Sequence, residues 1–262
     1  MKIAILGVTG RMGQCVIRAA HAEGAGIVGA IASPASADLG RDIGLVAGIG
    51  GDLGVVVSDD MAAGLLGADV VIDFSSADAL QRLLPLAMRA NVAVVSGTTR
   101  LDAVCEKLLD DAAKIVPVLS APNTSVGVQV LADLVRLAVE RLGAGFDVEI
   151  VETHHRAKVD APSGTAERLR RAVEDARGEL VRMHGREGNV GPRKAEEIGV
   201  HAVRGGDVIG DHTVHLLGPG ERIELTHRAT NRDLFARGAL RAAQFVVGKP
   251  AGRYTMVDVI HG

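Results

Sequence analysis

The chain has 262 residues, enough for one large domain or two modest ones, and its 47% hydrophobic and 23% charged residues are typical of a soluble globular protein. The net charge of −3 shows no global bias toward nucleic acid, and Cys15 and Cys105 are predicted to be buried thiols of a cytoplasmic protein. The apolar run at the N-terminus is too short for a signal peptide, and no stretch is long enough to span a bilayer.

The first predicted elements form a βαβ unit with glycines at its first turn. A short buried strand is expected at residues 2–6, a helix to about Glu23 and a second strand at 27–32. The glycines at positions 7, 10 and 13 match the common dinucleotide fingerprint only loosely. They nevertheless let the backbone approach a pyrophosphate, whose charge lies on the helix N-terminus. We therefore predict a dinucleotide site here, against the alternative of a plain tight turn.

The alternation of strands and helices continues to about residue 120, which predicts a doubly wound parallel sheet. The further strands are expected at 70–74, 92–95 and 115–119, the helices at 77–90 and 101–113, and loops at 33–58. Ligands bind beyond the carboxyl ends of such strands. Three segments satisfy that position: residues 7–13, 96–99 and 121–124. Each of the last two, taken alone, is also compatible with a simple turn.

After Asn123 the pattern changes to that of an α+β domain. A long amphipathic helix is expected at 126–142, and residues 178–197 are expected to form an irregular or mobile loop. Residues 198–228 alternate as strands, with predicted hairpin turns at Gly205-Gly206 and at Gly218-Pro219-Gly220. These strands carry His201, His212, His215 and His227, which we expect at the surface or at an interface because their spacing does not suit a metal.

The closing helix, at about 232–247, and residues 254–260 are expected to return to the first domain. We therefore predict a dinucleotide-binding domain made of residues 1–125 plus 229–262. Residues 126–228 then form a substrate-binding and oligomerisation domain.

One segment concentrates titratable side chains: Glu152-Thr-His-His-Arg-Ala-Lys-Val-Asp-Ala-Pro-Ser-Gly-Thr-Ala166. It connects a predicted strand at 146–151 to a helix from 166 onward, a position where functional side chains tend to be displayed. Ser163 is the expected N-cap, which leaves backbone N–H groups at the positive end of the helix to bind an anion. An extended segment would point His154, Arg156 and Lys158 one way. The alternative is an ordinary polar loop before a capped helix.

This segment closely resembles the signature of the 4-hydroxy-tetrahydrodipicolinate reductase (dihydrodipicolinate reductase) family. The supporting matches run in order along essentially the whole chain: Gly7-x-x-Gly-Arg-Met-Gly13, Asp73-Phe74, Gly97-Thr-Thr99, Asn123-x-Ser-Val-Gly127 and Arg204-x-Gly-Asp-x-x-Gly-x-His-Thr213. The resemblance implies an α/β fold with an N-terminal Rossmann-like doubly wound parallel sheet and a second α+β domain on an open mixed or antiparallel sheet. It also implies a homotetramer built through that second sheet.

The activity implied by the resemblance is hydride transfer from NADH or NADPH to a cyclic imine dicarboxylate in diaminopimelate and lysine synthesis, with loss of a hydroxyl as water. By similarity His154 is the general acid/base and Lys158 the proton donor, while His155, Gly164 and Thr165 bind the substrate. The implied cofactor contacts are Gly7, Val8, Thr9, Gly10, Arg11, Met12, Ser33, Gly97, Thr98, Thr99, Ala121, Pro122, Asn123 and Thr124. No metal, membrane or nucleic-acid partner is expected.

The chain departs from the family pattern at a few positions. Ser33-Pro34 replaces an acidic and a basic residue that often discriminate between the ribose hydroxyl and phosphate, so we expect NADPH to be accepted and NADH to be used as well. Thr124 stands where an aromatic residue is frequent, and Asn189-Val190 also differs from the usual loop.

Three other readings of the residues stay open at this point. The first is a different NAD(P)-dependent dehydrogenase, acting on an amino or hydroxy acid. The second is a metal-dependent hydrolase that uses His154 and His155, although adjacent residues of an extended segment diverge. The third is a non-catalytic nucleotide sensor.

Overall fold

The computed structural model describes residues 1–262, which divide into two compact units. The first unit comprises Met1–Ser125 and Arg232–Gly262, and the second comprises Val126–Asn231. Each unit has a core of buried aliphatic side chains, as the scarcity of aromatic residues requires. None of the helices is both long and apolar enough to cross a bilayer.

The first unit alternates strands with helices, and labels follow chain order through the whole molecule. Its elements before the second unit are β1 (Lys2–Leu6), α1 (Arg11–Ala22), β2 (Gly26–Ile31), α2 (Ile43–Val46), α3 (Met61–Gly64), β3 (Val70–Asp73), α4 (Ala77–Ala90), β4 (Ala93–Ser96), α5 (Ala103–Ala113) and β5 (Pro117–Ser120). The second unit contains α6 (Val126–Leu142), β6 (Asp147–His154), α7 (Gly164–Arg177), β7 (Val181–Met183), β8 (Glu197–Arg204), β9 (Gly210–Gly218) and β10 (Glu221–Ala229). The chain then returns to the first unit with α8 (Asp233–Val246), β11 (Gly252–Tyr254) and α9 (Met256–His261).

The six strands of the first unit form one parallel sheet in the order β11-β5-β4-β3-β1-β2. Residues of β3 and β4 are buried along their whole length, because helices cover both faces of a doubly wound sheet. Cys15 and Cys105 are buried free thiols. The predicted doubly wound fold is therefore confirmed, while β11 and α9 lie in a region where the sequence predicted only a return to the first domain.

The topology brings two turns together at the carboxyl edge of this sheet. β1 lies between β2 and β3, so the chain leaves β1 toward one side of the sheet and later crosses to the other. The turn that follows β1 and the turn that follows β3 are therefore neighbours. In open parallel sheets such a switch point is where ligands bind.

The second unit is a mixed sheet in the order β10-β9-β6-β8-β7, with α6 and α7 packed on one face. β6 pairs in parallel with β8 and antiparallel with β9, and β9 forms a hairpin with β10. The predicted turn at Gly218-Pro219-Gly220 is this hairpin, and Gly220 takes a positive φ of 79° in it.

The predicted hairpin at Gly205-Gly206 is wrong, because β6 lies between β8 and β9. The turn bonds instead to the segment that follows β6: Gly205 N–H donates to the carbonyl of His154, and the N–H of Arg156 donates to the carbonyl of Gly206. Paired glycines mark a change of direction, but they do not tell which strand the chain joins next.

Candidate active site

The glycine turn after β1 has no room for side chains. Gly7 takes a φ of +80°, and a Cβ there would lie 2.6 Å from the carbonyl oxygen of Phe74. A Cβ at Gly13 would lie 2.3 Å from the carbonyl oxygen of Gly7. The loosely spaced triplet therefore serves the purpose of the regular fingerprint, which is to bring the first turn of α1 against the end of β1.

Phe74 packs the turns of three strands together. Its carbonyl lies beneath Gly7, and its ring lies so close to Gly97 that a Cβ there would approach a ring carbon to 2.1 Å. Gly97 follows β4 and belongs to the predicted segment Gly97-Thr98-Thr99. The carboxyl ends of β1, β3 and β4 thus form one continuous surface of small residues.

The buried carboxylate of Asp73 organises the loops beside that surface. It accepts hydrogen bonds from the Ser75 N–H (3.0 Å) and hydroxyl (2.5 Å), the Ser96 hydroxyl (2.6 Å) and the Thr98 hydroxyl (2.8 Å). Burial raises the pKa of Asp73, against the opposing effect of these hydrogen bonds. Asp73 was identified from the sequence only as part of a matching dipeptide, without a role.

A cleft of about 800 Å³ opens from the glycine turn along the switch point. Its lining residues are Leu6, Gly7, Gly10, Ala32, Ser33, Pro34, Asp59, Asp60, Met61, Ala62, Phe74, Ser75, Ser76, Asp78, Ala79, Arg82 and Leu86. The cleft brings Gly7, Gly10 and Ser33 together, as the sequence predicted for a dinucleotide. It also contains Asp59 and Arg82, which the sequence did not single out because they come from separate loop and helix segments.

The remaining candidate cofactor residues differ in what they can offer a ligand. Thr99, Arg11 and Pro122 are exposed, and Thr9, Met12 and Asn123 are half-buried. In contrast, Val8 is buried and its N–H donates to the Ile31 carbonyl at 3.1 Å. The hydroxyl of Thr124 donates to the Phe235 carbonyl at 2.7 Å, and Ala121 donates its N–H to the Ser96 carbonyl. Val8, Ala121 and Thr124 therefore hold the turns in place through hydrogen bonds to neighbouring backbone carbonyls.

In the second unit, the signature segment does not continue as an extended strand. β6 ends at His154, residues 156–157 form a turn, and the N–H of Lys158 donates to the His155 carbonyl at 3.1 Å. His154 is consequently buried, Arg156 is exposed and Lys158 lies between these extremes. The prediction that His154, Arg156 and Lys158 point one way is wrong, because the turn breaks the alternation of the strand.

A fully buried carboxylate, Glu152, lies beside the imidazole of His154. Its Oε2 is 2.5 Å from His154 Nδ1 and also accepts from Arg204 Nη1 at 2.8 Å. Its Oε1 accepts from Arg204 Nη2 at 2.8 Å and from the Ser163 N–H at 3.1 Å. Burial alone would raise the pKa of Glu152, but the contacts of His154 and Arg204 outweigh it and lower the pKa to about 2.

The ammonium of Lys158 is held by a carboxylate. Lys158 Nζ lies 2.8 Å from both carboxylate oxygens of Asp160. The backbone carbonyl of Asp160 in turn accepts from Arg204 Nη2 at 2.6 Å. Arg204 therefore connects the carboxylate beside His154 to the loop that carries Lys158.

Helix α7 begins inside the signature as predicted. Ser163 is its N-cap and accepts from the Ala166 N–H at 3.1 Å, while Gly164 is exposed and Thr165 is buried. The Ser163 hydroxyl also lies 3.0 Å from Nε2 of His212, a ring that meets His154 edge-on with centroids 5.1 Å apart.

His212 itself was misjudged from the sequence. It was expected at the surface or an interface, yet it is 3% exposed, because alternate residues of β9 face the helices. Burial, reinforced by the charge of His154, lowers the pKa of His212 to about 3. No group of three His, Cys, Asp or Glu side chains is arranged to hold a metal ion.

A parallel sheet with a glycine turn at its switch point, joined to a unit with a histidine–carboxylate pair and a capped helix N-terminus, defines a nucleotide-dependent oxidoreductase. Models of the two halves of dihydrodipicolinate reductase match the sequence, the N-terminal half over residues 1–124 and the C-terminal half over 127–260. The chain belongs to the dihydrodipicolinate reductase family.

Relatives of known function agree along nearly the whole chain. The 4-hydroxy-tetrahydrodipicolinate reductase of Anaeromyxobacter sp. (strain Fw109-5) is 49% identical over an alignment of 267 positions that covers 99% of this chain and 97% of that protein. The enzyme of the same name from Methanopyrus kandleri is 50% identical over an alignment of 268 positions that covers 99% of this chain and 96% of that protein. The function is therefore reduction of 4-hydroxy-tetrahydrodipicolinate by a reduced pyridine nucleotide, in diaminopimelate and lysine biosynthesis.

Solved structures support the fold. The dipicolinate-bound dihydrodipicolinate reductase from Paenisporosarcina sp. TG-14 superposes with a TM-score of 0.75 at 24% identity, over 99% of each chain. An amine dehydrogenase from Mycobacterium smegmatis gives a TM-score of 0.62 at 17% identity, over 98% of this chain and 95% of that one. The same architecture thus serves more than one substrate, so residue roles must be argued from the site.

Proposed function

We propose that the signature segment binds and protonates the substrate of this reductase, with His154 as general acid/base and Lys158 as proton donor. Addition of a hydride to a conjugated imine leaves an electron pair on a carbon or nitrogen atom that must then take up a proton. The observation that carries the proposal is the contact of His154 Nδ1 with a buried carboxylate, because this arrangement orients an imidazole for proton exchange.

The substrate is a dianion, and the N-terminus of α7 suits one of its carboxylates. The Ser163 hydroxyl caps the Ala166 N–H, and a Cβ at Gly164 would meet nothing within 4 Å. This opening gives a carboxylate access to the first N–H groups of a 14-residue helix, where anions are stabilised. His155, Gly164 and Thr165 are therefore the proposed substrate-binding residues.

The glycine turn of the first unit fits the diphosphate of a pyridine nucleotide. Side chains at Gly7, Gly13 and Gly97 would collide with neighbouring backbone or with the Phe74 ring, so glycine at these positions allows the close packing on which the turn depends. When bound, the reduced nicotinamide supplies the hydride. The residues proposed to contact the cofactor are those at 7–12, 33, 97–99 and 121–124, with Val8, Ala121 and Thr124 contributing through the backbone.

Both NADPH and NADH are proposed as cofactors. The segment after β2 offers Ser33 and Pro34, neither of which carries a charge, and the cleft contains an arginine, Arg82, as well as three aspartates, Asp59, Asp60 and Asp78. Values of kcat/KM for the two cofactors should lie within about tenfold of each other, a difference of roughly 1.4 kcal/mol. A strong preference for either cofactor would contradict this.

A homotetramer in the cytoplasm is also proposed, with contacts through the second sheet. The face of this sheet away from α6 and α7 carries Val203, which is exposed, and the linked hydroxyls of Thr213 and Thr226. Light scattering of the purified protein would measure the oligomer, and a monomer at micromolar concentration would contradict the assembly.

The function is tested by following the near-ultraviolet absorbance of the reduced nicotinamide, with substrate made in situ from pyruvate and aspartate semialdehyde. The residue assignment is tested by Lys158→Ala. This variant should lower kcat by about 10²-fold or more, the scale of general acid catalysis, while the cofactor Kd stays unchanged. Lys194→Ala removes an exposed lysine of the same unit as a control. Turnover near that of the control would contradict the role of Lys158.

A further inference from the structure

The hydrogen-bond partners of Glu152 decide which nitrogen of His154 carries a hydrogen. Of the four contacts to its oxygens, two come from Arg204 and one from the backbone N–H of Ser163, and all three are obligatory donors. The fourth contact, at 2.5 Å, is with His154 Nδ1. Because two of these donors belong to a guanidinium, the carboxylate is stabilised in its charged form, which can only accept, and Nδ1 is the donor.

The charge of Glu152 leads to the same conclusion. Burial opposes ionisation, but His154 and Arg204 together lower the pKa of Glu152 to about 2. An ionised carboxylate only accepts hydrogen bonds. With Nδ1 committed to Glu152, only Nε2 of His154 can exchange a proton with a ligand.

The space beside Nε2 is kept open by a glycine. Gly210, at the start of β9, is placed so that a Cβ would lie 3.0 Å from His154 Nε2 and 3.4 Å from the neighbouring ring carbon. A side chain at this position would press against the nitrogen that the Glu152 contact leaves available. The match with the family segment around Arg204 gave Gly210 no role, since its neighbour His154 lies on another strand.

Other titratable groups surround the pair on several sides. On β9, His212 meets the His154 ring edge-on, and burial lowers its pKa to about 3, so it stays neutral near pH 7. His227 on β10 and Lys158 in the signature loop also act on the charge of His212, and Arg204 approaches from β8. Of these groups, only Glu152 contacts a ring nitrogen of His154 as an acceptor.

We propose that Glu152 is the positioning residue that holds His154 with its hydrogen on Nδ1, so that Nε2 is the proton-exchanging atom. Arg204 is proposed to keep this carboxylate charged and to tie it, through the Asp160 carbonyl, to the loop that carries Lys158. The inference rests on the proposed role of His154 as general acid/base. Glu152 is the first residue of the signature, and the sequence assigned it no role.

The proton step follows from this arrangement. In the protonated ring, the Nε2–H proton passes to the substrate atom that holds the electron pair left by hydride addition. The N–H bonding pair remains on Nε2, Nδ1 keeps its hydrogen, and Glu152 is charged before and after. The proton on Nε2 is then restored from solvent.

Glu152→Gln changes the tautomer by removing one acceptor. The Gln oxygen is best placed where Oε1 accepts from Arg204 Nη2 and the Ser163 N–H, which leaves the amide NH₂ facing His154 Nδ1 and Arg204 Nη1, the two groups that contact Oε2 in the wild type. Nδ1 must then accept, and the neutral ring carries its hydrogen on Nε2. We expect kcat to fall by about 10²-fold or more, with the cofactor Kd unchanged. Glu152→Asp, which keeps the charge, should recover part of this loss.

The matched control is Glu149→Gln, on the opposite face of the same strand. Glu149 also contacts a histidine, His201 Nε2 at 2.6 Å, and is also paired with Arg186 and Arg193. The control should change kcat by less than about threefold, as expected away from the reacting atoms. Its oligomeric state is measured in parallel.

The tautomer is read directly by nitrogen NMR of the wild-type protein labelled with ¹⁵N-histidine. His154→Asn identifies the His154 signals among those of the nine histidines. The neutral wild-type ring should show a protonated Nδ1 and an unprotonated Nε2, and Glu152→Gln should reverse them. A wild-type ring with its hydrogen on Nε2 overturns the inference, even if no Glu152 variant folds.

The kinetic outcomes separate the inference from the role on which it rests. If His154→Asn lowers kcat by about 10²-fold while Glu152→Gln stays within about threefold of wild type, Glu152 does not position His154. If both variants keep wild-type kcat, His154 is not the general acid and the proposed function of the signature fails as well.

Discussion

Each unit contains one fully buried carboxylate near the end of a strand. The surroundings of the two carboxylates shift their pKa values in opposite directions. Asp73 accepts four hydrogen bonds, from the Ser75 N–H and hydroxyl, the Ser96 hydroxyl and the Thr98 hydroxyl. Glu152 also has four contacts: His154 Nδ1, two from Arg204 and one from the Ser163 N–H. Yet the pKa of Asp73 is raised, whereas that of Glu152 is lowered to about 2.

The two carboxylates have the same number of contacts, but only Glu152 faces charged donors, and these contribute to the opposite directions of the two pKa shifts. The donors to Asp73 are neutral, so burial prevails and the side chain acts as a hub for the nucleotide loops. Glu152 faces a guanidinium through two parallel hydrogen bonds, which compensates its burial. In our proposal, the first arrangement shapes the surface that binds the cofactor, and the second places a charged carboxylate beside His154, the general acid/base.

The largest effect is expected from removing the cation of the second unit. Arg204→Leu leaves the ionised Glu152 buried beside a neutral side chain, which should lower the free energy of unfolding by about 3–5 kcal/mol. Urea unfolding measures this loss. Arg186→Leu is the control, because Glu149 keeps Arg193 as a second cation and should lose about 1 kcal/mol or less. Equal losses in the two variants would show that Arg204 does not neutralise a buried charge.

A smaller effect is expected when pH changes the charge of Glu152. Its pKa is 4.5 without the fold and about 2 within it, so the unfolded chain binds more protons between these values. The stability that Glu152 contributes is full above pH 4.5 and is lost as pH falls toward 2. The difference in unfolding free energy between wild type and Glu152→Gln should therefore shrink by up to about 3 kcal/mol on acidification. A constant difference would argue against a charged Glu152.

The smallest effect, and one of opposite sign, is expected for Asp73. Its raised pKa means that the native protein binds the proton more tightly than the unfolded chain, whose value is 3.8. The stability that the protonated form contributes is full below pH 3.8 and is lost as pH rises through the native pKa. The unfolding free energy of the wild type, measured relative to that of Asp73→Asn, should decrease as pH rises across this range. If it increases instead, the neutral donors are sufficient to stabilise the charged form of Asp73.

The fold of the first unit could be predicted from the sequence because the patterns that indicate its strands and helices are local. Apolar runs alternate with helical patterns, and glycines at 7, 10 and 13 mark the turn that we propose binds the nucleotide. The order of the second sheet was not predictable in this way, since β6 pairs with two strands that follow much later. The wrong prediction of a hairpin at Gly205-Gly206 shows that a turn can be located correctly while the pairing of its two strands is not.

The same distinction between local and distant residues applies to the candidate site. His154, Lys158 and the helix N-terminus lie within one short segment, so their chemistry was visible in the sequence. The contact of Glu152 with Arg204 spans 52 residues, and that of Ser163 with His212 spans 49. Such partners are brought together only by the pairing of β6 with β8 and β9, which no local pattern encodes.

The contrast between the two carboxylates is tested most directly by measuring kcat and the NADPH dissociation constant for Glu152→Gln and Asp73→Asn. We predict that Glu152→Gln loses kcat by about 10²-fold or more at unchanged NADPH affinity. Asp73→Asn should weaken NADPH binding by about tenfold, the equivalent of roughly 1.4 kcal/mol, and reduce kcat far less. If both substitutions lowered the same parameter to the same extent, the division of labour between these two buried carboxylates would be contradicted.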